Sequence, residues 1–475
     1  MQGDKPTNNI TAPQRWVLAL AAAGSFMAVL DAMVVTTALD TLRHDLQASV
    51  EALEWTVNAY GLCFATLLMT GAALGDRFGR RRMYIAGLLL FGLASAACAA
   101  APSAAWLIAG RAAQGVGAAL VMPIAMALLG AAFPPPQRAK ALGVFSGITG
   151  LAVLSGPLIG GAIVHGLAWQ WIFWINLPVA LGAAWLVLRH VPESRATQVR
   201  LDLPGALLMT ASLLGLVWGL VHGNRVGWDS TEVMSSLAVG VVLGAVFVTS
   251  QRSAKRDAMI PPRMFRAPVL AMALAVAFLL TASLFGTLFF MAQFFQVTRR
   301  LSPLAAGASM LPWTATLFLV APVAGGMVAR VGERTLVVGG LGLQAAGMVW
   351  LATLVRADAA YLQWIVPLMV AGAGISMAMP AVQGAVLSAV EPADIGKAAG
   401  LFNTLRQLGG VFGVALVVAV FTRVGGYGNA QQFSTGFAAV LLVSAALSLA
   451  GALVGFGLRG ARGSGAMAAM RGVKP

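Results

Sequence analysis

The sequence has little charge and few of the side chains that build disulfides or metal centres. Charged residues make up only 10% of the 475 residues, whereas soluble domains carry about 25%. A soluble chain of this length would need more charge to cover its surface. The two cysteines, Cys63 and Cys98, lie in separate apolar stretches, and the four histidines lack ligand spacing. Neither a disulfide framework nor a metal centre is therefore indicated.

Long apolar stretches take the place of charge. Hydrophobic residues reach 59% of the chain, and stretches of about 20 such residues, long enough to cross a bilayer as a helix, recur along it. Lipid offers no partner for backbone N–H and C=O groups, so each stretch must be helical. We predict an all-α membrane protein with fourteen transmembrane helices, of which the one over 234–250 is the shortest.

Basic residues determine the predicted orientation. With the N-terminus inside, most of the 31 Lys and Arg residues fall in cytoplasmic loops, as the positive-inside rule requires. Both termini are therefore expected in the cytoplasm. The net charge of +15 does not indicate a nucleic-acid partner, because the basic residues form short clusters between apolar stretches and not a single face.

Two loop sequences recur at nearly the same offset. The segment 72–81 returns at 325–334, and the segment 140–145 returns at 397–402. Parallel repeats of this kind predict two six-helix bundles with a site between them that is exposed to each side of the membrane in turn. The predicted boundaries are 1–14 for a cytoplasmic tail, 15–195 for the N-terminal bundle, 200–252 for two extra helices inserted between the bundles, 266–459 for the C-terminal bundle and 460–475 for a second cytoplasmic tail.

Asp31 and Arg111 are ionisable residues within apolar stretches. A carboxylate at such depth is costly unless it faces a cavity, has a partner or takes up a proton. The two residues lie at matched predicted depth, so they can meet if their helices are neighbours. Gln114 lies one turn beyond Arg111 on the same helix face. The pair is either a fixed structural contact or one that is remade during proton or substrate exchange, and we favour the second.

Two further charged residues lie towards the ends of apolar stretches. Glu54 opens the second apolar stretch, where it is either solvated at the interface or a second proton or cation site. Arg406 lies near the inner end of its stretch, where its long side chain can reach the interface or neighbouring carbonyls. For Arg406 we favour the structural role.

A loop at 75–82 combines glycine turns with one carboxylate and four guanidinium groups. This composition is a topology signal. Its Asp76 is also a candidate latch, which would cap a helix end or pair with a basic residue of a neighbouring helix in one conformation only.

The fifth apolar stretch is rich in glycine around a proline. Small residues allow close helix contact, and a proline within a helix removes a hydrogen bond and bends the helix. We therefore predict a hinge or seal between the bundles, formed by Gly156, Pro157, Gly160 and Gly161.

The ninth apolar stretch carries a stripe at helical spacing, formed by Phe285, Phe289 and Gln293. Such a stripe more often faces lipid or a packed core. We retain these residues, together with Gln114, as candidate substrate contacts.

Together these segments resemble the major facilitator superfamily, in particular the fourteen-span branch of the bacterial drug:proton antiporter family. The resemblance rests on the segments 30–35, 74–81, 111–117 and 156–161. It implies proton coupling by Asp31 and Arg111, conformational gating by Asp76 and Arg77, an antiporter hinge at Gly156 and Pro157, and a location in the bacterial cytoplasmic (inner) membrane. Further gating candidates in the same loop are Gly75, Gly79 and Arg80. Two positions depart from the family pattern: Ala72 stands where glycine is usual, and Asp40 where relatives often have proline.

The expected function is proton-coupled export, by alternating access, of amphipathic drug-like compounds that are cationic or neutral. We expect no cofactor and a proton gradient as the driving force. The expected partners are protons, a small-molecule substrate and membrane lipids. We expect the protein to be a monomer. Acidic residues are scarce in the apolar stretches of the C-terminal half, which counts against tight binding of dications.

A lipid or lysolipid exporter on the same scaffold is the alternative. A membrane enzyme would need a nucleophile, a metal cluster or paired catalytic carboxylates, and the sequence indicates none; a sensor that transports nothing is also disfavoured.

Overall fold

The computed structural model describes residues 11–195, 202–253, 264, 268–355, 360–390 and 395–458. Within these ranges the chain is helical and contains no strand. The first helix begins at Ala12, and residues 1–10 of the tail predicted over 1–14 lie outside the described ranges. The second predicted tail, 460–475, also lies outside them.

The helices follow one another with short connections. In chain order they are α1 (Ala12–Asp45), α2 (Val50–Phe78), α3 (Arg80–Ala99), α4 (Ala104–Ala132), α5 (Pro135–Gly166), α6 (Trp171–Trp174), α7 (Asn176–His190), α8 (Leu203–Val226), α9 (Thr231–Ser253), α10 (Pro268–Val297), α11 (Pro303–Ser309), α12 (Leu311–Leu319), α13 (Ala321–Val331), α14 (Glu333–Thr353), α15 (Tyr361–Ser388), α16 (Ile395–Val424) and α17 (Ala430–Gly455).

The described helices have the length and composition of membrane spans. Twelve segments, with α6 and α7 counted as one, are long and apolar enough to cross a bilayer, and α5 makes a thirteenth if its two parts form one span. The parts of α5 meet at an angle of 43°. The break lies about one turn before Pro157, as expected because a proline ring clashes with the carbonyl of the residue four positions earlier. The all-α membrane class is confirmed, while the count of fourteen stays a prediction.

The apolar stretch 304–328 is long enough for one transmembrane helix, but it does not form one continuous helix. It is divided into α11, α12 and α13, and each of these begins with a proline in its first two positions. A proline nitrogen has no hydrogen to donate, so it starts a helix well but interrupts the hydrogen bonds of the preceding one. The apolar pattern alone does not reveal these breaks.

The outer surface of the helices is apolar. Leu93, Leu207 and Leu362 are 62%, 70% and 77% exposed, respectively. Side chains of this kind would be buried in a soluble protein of ordinary composition. Lipid is therefore the medium that suits this surface.

The helices pack in two groups. Helices α1 to α7 pack mainly on one another, with α1 against α5 and α2 against α4, and helices α10 to α17 do the same, with α10 against α16 and α14 against α15. The α8–α9 hairpin lies against α2 and α16. Two bundles with an inserted helix pair agree with this packing, and the residue boundaries stay a prediction.

The two groups meet at one end and separate at the other. Where α1 ends and α2 begins, one apolar cluster joins both groups and includes Leu39 of α1 and Phe289 of α10. Where α2 ends and α3 begins, the groups have separate clusters, represented by Tyr84 in one and Leu336 in the other. We call these the closed end and the open end.

Both copies of the repeated loop turn at a glycine at the open end. Gly79 lies between α2 and α3 with φ of 109°, and Gly332 lies between α13 and α14 with φ of 82°. Residues with a side chain rarely adopt such angles, so glycine is the residue that suits both turns. The two glycines occupy equivalent positions of the repeat.

Candidate functional site

Asp31 and Arg111 form a buried ion pair between α1 and α4. Nη1 of Arg111 donates to Oδ2 of Asp31. Asp31 is 2% exposed and Arg111 is 1% exposed. The predicted meeting at matched depth is confirmed. Removing two charges from water is costly, and their attraction compensates only if the remaining polar atoms are also hydrogen-bonded.

Polar side chains from other helices complete the hydrogen bonds of the carboxylate. Oδ1 of Asp31 accepts hydrogen bonds from Nε2 of Gln114 at 3.0 Å and from Nδ2 of Asn176 at 2.8 Å. The hydroxyl of Ser95 accepts from both amides, at 2.5 and 3.2 Å. The Asp31 carboxylate thus has donors from α4 and α7 in addition to its ion-pair partner.

Sequence reasoning did not identify Asn176 and Ser95. Asn176 is a lone amide in the apolar segment 171–190, and it is 3% exposed. A buried amide needs hydrogen-bond partners, which is a usable signal. The sequence could not show which carboxylate supplies them, because this depends on how α7 and α1 pack.

The guanidinium group of Arg111 has partners on several sides. Its Nε donates to the backbone oxygen of Thr56 at 3.1 Å, and its Nη1 also donates to Oε1 of Gln114 at 2.8 Å. The guanidinium carbon lies 4.4 Å from the ring centre of Tyr60, within the range of a cation–π contact. Arg111 and Tyr60 both line the central cavity, so this side of the ion pair faces the space between the helix groups.

The cavity lies between the two groups and has a volume of about 690 Å³. Its lining extends to Met126, Leu387 and Ala399, which lie near the ends of α4 and α15 and the beginning of α16. The cavity therefore reaches the open end. Its volume lies within the range of pockets that enclose drug-sized molecules.

The cavity wall is apolar with scattered polar groups. Apolar side chains in the wall include Met122, Phe285, Trp313, Met379 and Phe402. Polar side chains include Asn58, Gln383, Asn403 and Gln407. Such a wall suits an amphipathic molecule.

The candidate substrate contacts lie in different parts of the structure. Phe285 lines the cavity, whereas Phe289 packs in the closed-end cluster, and Oε1 of Gln293 accepts a hydrogen bond from the hydroxyl of Tyr427. Positions i to i+8 of a helix extend about 12 Å along its axis, so this stripe begins at the cavity and continues into the closed end. Gln114 does not line the cavity; it holds Asp31.

Glu54 is fully buried at 0% exposure, so the alternative of a solvated interfacial side chain does not hold. Nδ2 of Asn58 donates to Oε1 of Glu54 at 3.5 Å. Asn58 lines the cavity, which places the Glu54 carboxylate behind a cavity-lining amide.

The loop candidates interact within their own helix group. Asp76 accepts a hydrogen bond from Nε of Arg80 at 2.8 Å, and Nη2 of Arg80 lies 2.7 Å from the same carboxylate oxygen. Nη1 of Arg80 donates to the backbone oxygen of Ala127 in α4 at 3.4 Å. Arg77 is exposed, and Gly75 packs closely against Ile124. Arg80, the ion-pair partner of Asp76, thus lies within the same loop.

One face of α5 fits closely against α1. A Cβ added to Gly156 would overlap the side chain of Met33, and one added to Gly160 would overlap that of Thr37. Met33 and Thr37 lie on α1, beyond Asp31 in the direction of the closed end. The helix that carries the buried carboxylate therefore also packs against the predicted hinge.

Another face of α5 fits against α11 of the other group. A Cβ on Gly161 would overlap the backbone oxygen of Pro303, and a Cβ on Gly307 would overlap the backbone oxygen of Pro157. Backbone atoms have little freedom to move away from such an overlap. These reciprocal glycine contacts hold the two groups together at the closed end.

Polar contacts also join the groups there. Nε2 of Gln296 donates to the backbone oxygen of Thr37 at 2.9 Å, and the guanidinium carbon of Arg43 lies 3.9 Å from the ring centre of Tyr427. Burial raises the pKa of Tyr427 above its usual value, so this phenol stays neutral and donates to Gln293. The closed end is thus held by both polar and apolar contacts.

Comparison with known proteins identifies a family. Residues 21–414 match the sequence profile of the Major Facilitator Superfamily. The chain is 33% identical over 399 residues to the multidrug resistance protein Stp of Mycobacterium tuberculosis. This alignment covers 84% of this chain and 74% of that protein. It is 36% identical to a puromycin resistance protein of Streptomyces alboniger, and the alignment covers 86% of this chain and 82% of that protein. The crystal structure of the peptide transporter POT with sulfate has the same fold, with a TM-score of 0.66 at 16% identity over 91% of this chain and 94% of that one.

Proposed function

The chain belongs to the Major Facilitator Superfamily, and from this premise we propose that it exports amphipathic drug-like compounds in exchange for protons. It is a membrane transporter and not an enzyme. The names of the two relatives, a multidrug resistance protein and a puromycin resistance protein, support export of drug-like compounds. We place the chain in the bacterial inner membrane as a monomer, with both termini in the cytoplasm and the open end facing the cytoplasm.

The observation that carries the proposal is the buried Asp31–Arg111 pair with one side on the cavity. The ionised carboxylate is stabilised by Arg111, Gln114 and Asn176. Protonation removes the charge that balances Arg111, so the pair loses its ionic attraction. A residue of this kind can exist in two protonation states with different helix contacts.

In the proposed cycle, α1 transmits this change to the closed end. Asp31 lies on the same helix as Met33 and Thr37, which fit against the glycines of α5. A proton from outside neutralises Asp31, α1 shifts against α4 and α5, the closed end opens, and substrate leaves. Loss of the proton to the cytoplasm restores the ion pair and the conformation with a cavity at the open end. Glu54, buried behind the cavity-lining Asn58, is proposed as a second proton site.

The test is flux in proteoliposomes under an imposed pH gradient. Two probes with the same aromatic body and opposite charges are used, pyrenesulfonate and pyrenemethyl-trimethylammonium, so that the charge of the substrate is not assumed. We expect gradient-driven flux of at least one probe, and a loss of at least tenfold in Asp31→Asn. Exchange of probe across the membrane without a gradient should persist in this variant, because the amide keeps the shape of the carboxylate.

The matched control is Asp45→Asn, at the exposed end of the same helix; its flux should equal that of the wild type. Two results would refute proton-coupled export through this residue: full gradient-driven flux in Asp31→Asn, or no flux of either probe in the wild type.

We also propose that the 75–82 loop acts in gating, and Asp76→Asn tests this role. The Asp76 and Arg80 side chains are 27% and 19% exposed, so losing their pair should lower stability by less than about 1 kcal/mol. If the pair is exchanged between conformations, the flux should fall several-fold while probe affinity at equilibrium stays unchanged. Asp229→Asn, an exposed residue between α8 and α9, is the control. An unchanged flux in Asp76→Asn would show that the loop carries topology information only.

A further inference from the structure

Arg406 of α16 lies in the wall of the cavity. The sequence favoured a structural role, with its guanidinium group at the interface or on neighbouring carbonyls. Within the described part of the chain, however, its Nε has no hydrogen-bond partner, and no carboxylate lies within ion-pair distance of it. A guanidinium group with an unsatisfied buried nitrogen in a largely apolar wall is costly, and an anionic ligand can compensate its charge.

The charges around the cavity do not balance. Among the described residues that line it, the charged side chains are Arg111 and Arg406, and none is acidic. Arg111 is neutralised by Asp31, whereas Arg406 is not neutralised. The lining of the cavity therefore carries one positive charge without an ionic partner, and a cation bound beside Arg406 would be repelled by it. The Glu54 carboxylate lies behind Asn58 and outside this lining.

The neighbours of Arg406 complete a site for an amphipathic acid. Asn403 and Gln407 flank it on α16 and also line the cavity. Phe285 and Phe402 provide aromatic surface in the same wall. A guanidinium group binds carboxylate, sulfonate or phosphate oxygens with paired hydrogen bonds, which are strong where water is excluded.

We propose that Arg406 is the anion-binding residue of this cavity and that the substrates are amphipathic acids, each with an apolar body and one acidic group. This class of substrate replaces the cationic or neutral class that the sequence suggested. The inference rests on the proposed function only in taking the cavity as the substrate site. The acidic group could belong to a small molecule or to a lipid headgroup, since both offer the same chemistry to the guanidinium group.

The test is equilibrium binding to the purified full-length protein in a neutral detergent, without any gradient. Three probes share one aromatic body: pyrenesulfonate, pyrenemethanol and pyrenemethyl-trimethylammonium. Energy transfer from tryptophan to pyrene reports occupancy, and Trp313 lies in the cavity wall. We expect the sulfonate to bind at least tenfold more tightly than the other two probes.

The variants assign this preference to one residue. Arg406→Gln should reduce sulfonate affinity to that of pyrenemethanol and leave pyrenemethanol unchanged, while Arg406→Lys should keep most of the preference. The control is Arg423→Gln, an exposed position near the other end of α16, which should behave as the wild type. Unchanged pyrenemethanol binding shows that the variant is folded.

Short-chain lipids distinguish the two sources of the anion. Displacement of pyrenesulfonate by phosphatidylglycerol but not by phosphatidylcholine supports the anion site with a lipid headgroup as occupant. Displacement by neither supports it with a small acid as occupant. Equal affinity for the three probes, tighter binding of the cation, or a sulfonate preference that survives in Arg406→Gln would overturn the proposal. Because no gradient is applied, a failure of proton coupling would leave these results unaffected.

Discussion

Arg111→Gln should lower the free energy of unfolding by about 3–5 kcal/mol, the usual cost of removing one partner from a buried ion pair. Asp31 is 2% exposed, so without Arg111 its charge would be left in a medium that solvates it poorly. Gln114 and Asn176 would still donate to the carboxylate but cannot balance its charge. We expect a clearly lower thermal unfolding temperature in detergent and no transport.

The double variant Asp31→Asn with Arg111→Gln separates charge from packing. Removing both charges should recover much of the stability lost in the single variant, because neutral amides can hydrogen-bond to one another. Transport should not recover, since the proton site is gone. Arg189→Gln, an exposed arginine at the end of α7, is the control. If the double variant were no more stable than Arg111→Gln, the buried ion pair would not be the cause of the loss.

Gly161→Ala and Gly307→Ala should each reduce transport at least tenfold. Each added methyl group would overlap a backbone oxygen across the contact between α5 and α11. Because backbone cannot give way as a flexible side chain can, the helix groups must separate. The population should therefore shift away from the conformation that is closed at this end.

Spin labels attached at Leu167 and Gln431, both exposed at the closed end, measure this shift as a longer distance between the two groups. Gly166→Ala is a matched control on α5, because a Cβ there meets nothing within 4 Å. Unchanged distances and flux in Gly161→Ala and Gly307→Ala would show that this contact does not control closure.

The sequence predicted the ion pair because depth in a membrane follows from position along a helix. Asp31 and Arg111 could be placed by counting from the ends of their apolar stretches, and Gln114 followed from helical spacing. The packing role of Gly156 and Gly160 followed from residue size. These inferences depend on local properties of the chain.

Other features depend on which faces meet, and a single sequence does not reveal this. Phe285 and Phe289 are equivalent in pattern, yet only the first lines the cavity. The orientation of Arg406 towards the cavity depends on how α16 is rotated against α2 and α10. The prolines at the helix breaks, Pro303, Pro312 and Pro322, are visible in the sequence. They do not by themselves predict a break, because prolines also occur within continuous membrane helices, as Pro367 and Pro380 do in α15.

The central claim is that substrate and proton move in opposite directions through a cycle that depends on Asp31. The most direct measurement is proton movement driven by substrate alone, in proteoliposomes that contain a trapped pH indicator, with no initial pH difference. A gradient of whichever charged pyrene probe the wild type transports should drive protons the opposite way in the wild type and in Asp45→Asn, but not in Asp31→Asn. Equal proton movement in Asp31→Asn, or probe transport by the wild type with no proton movement, would contradict the claim.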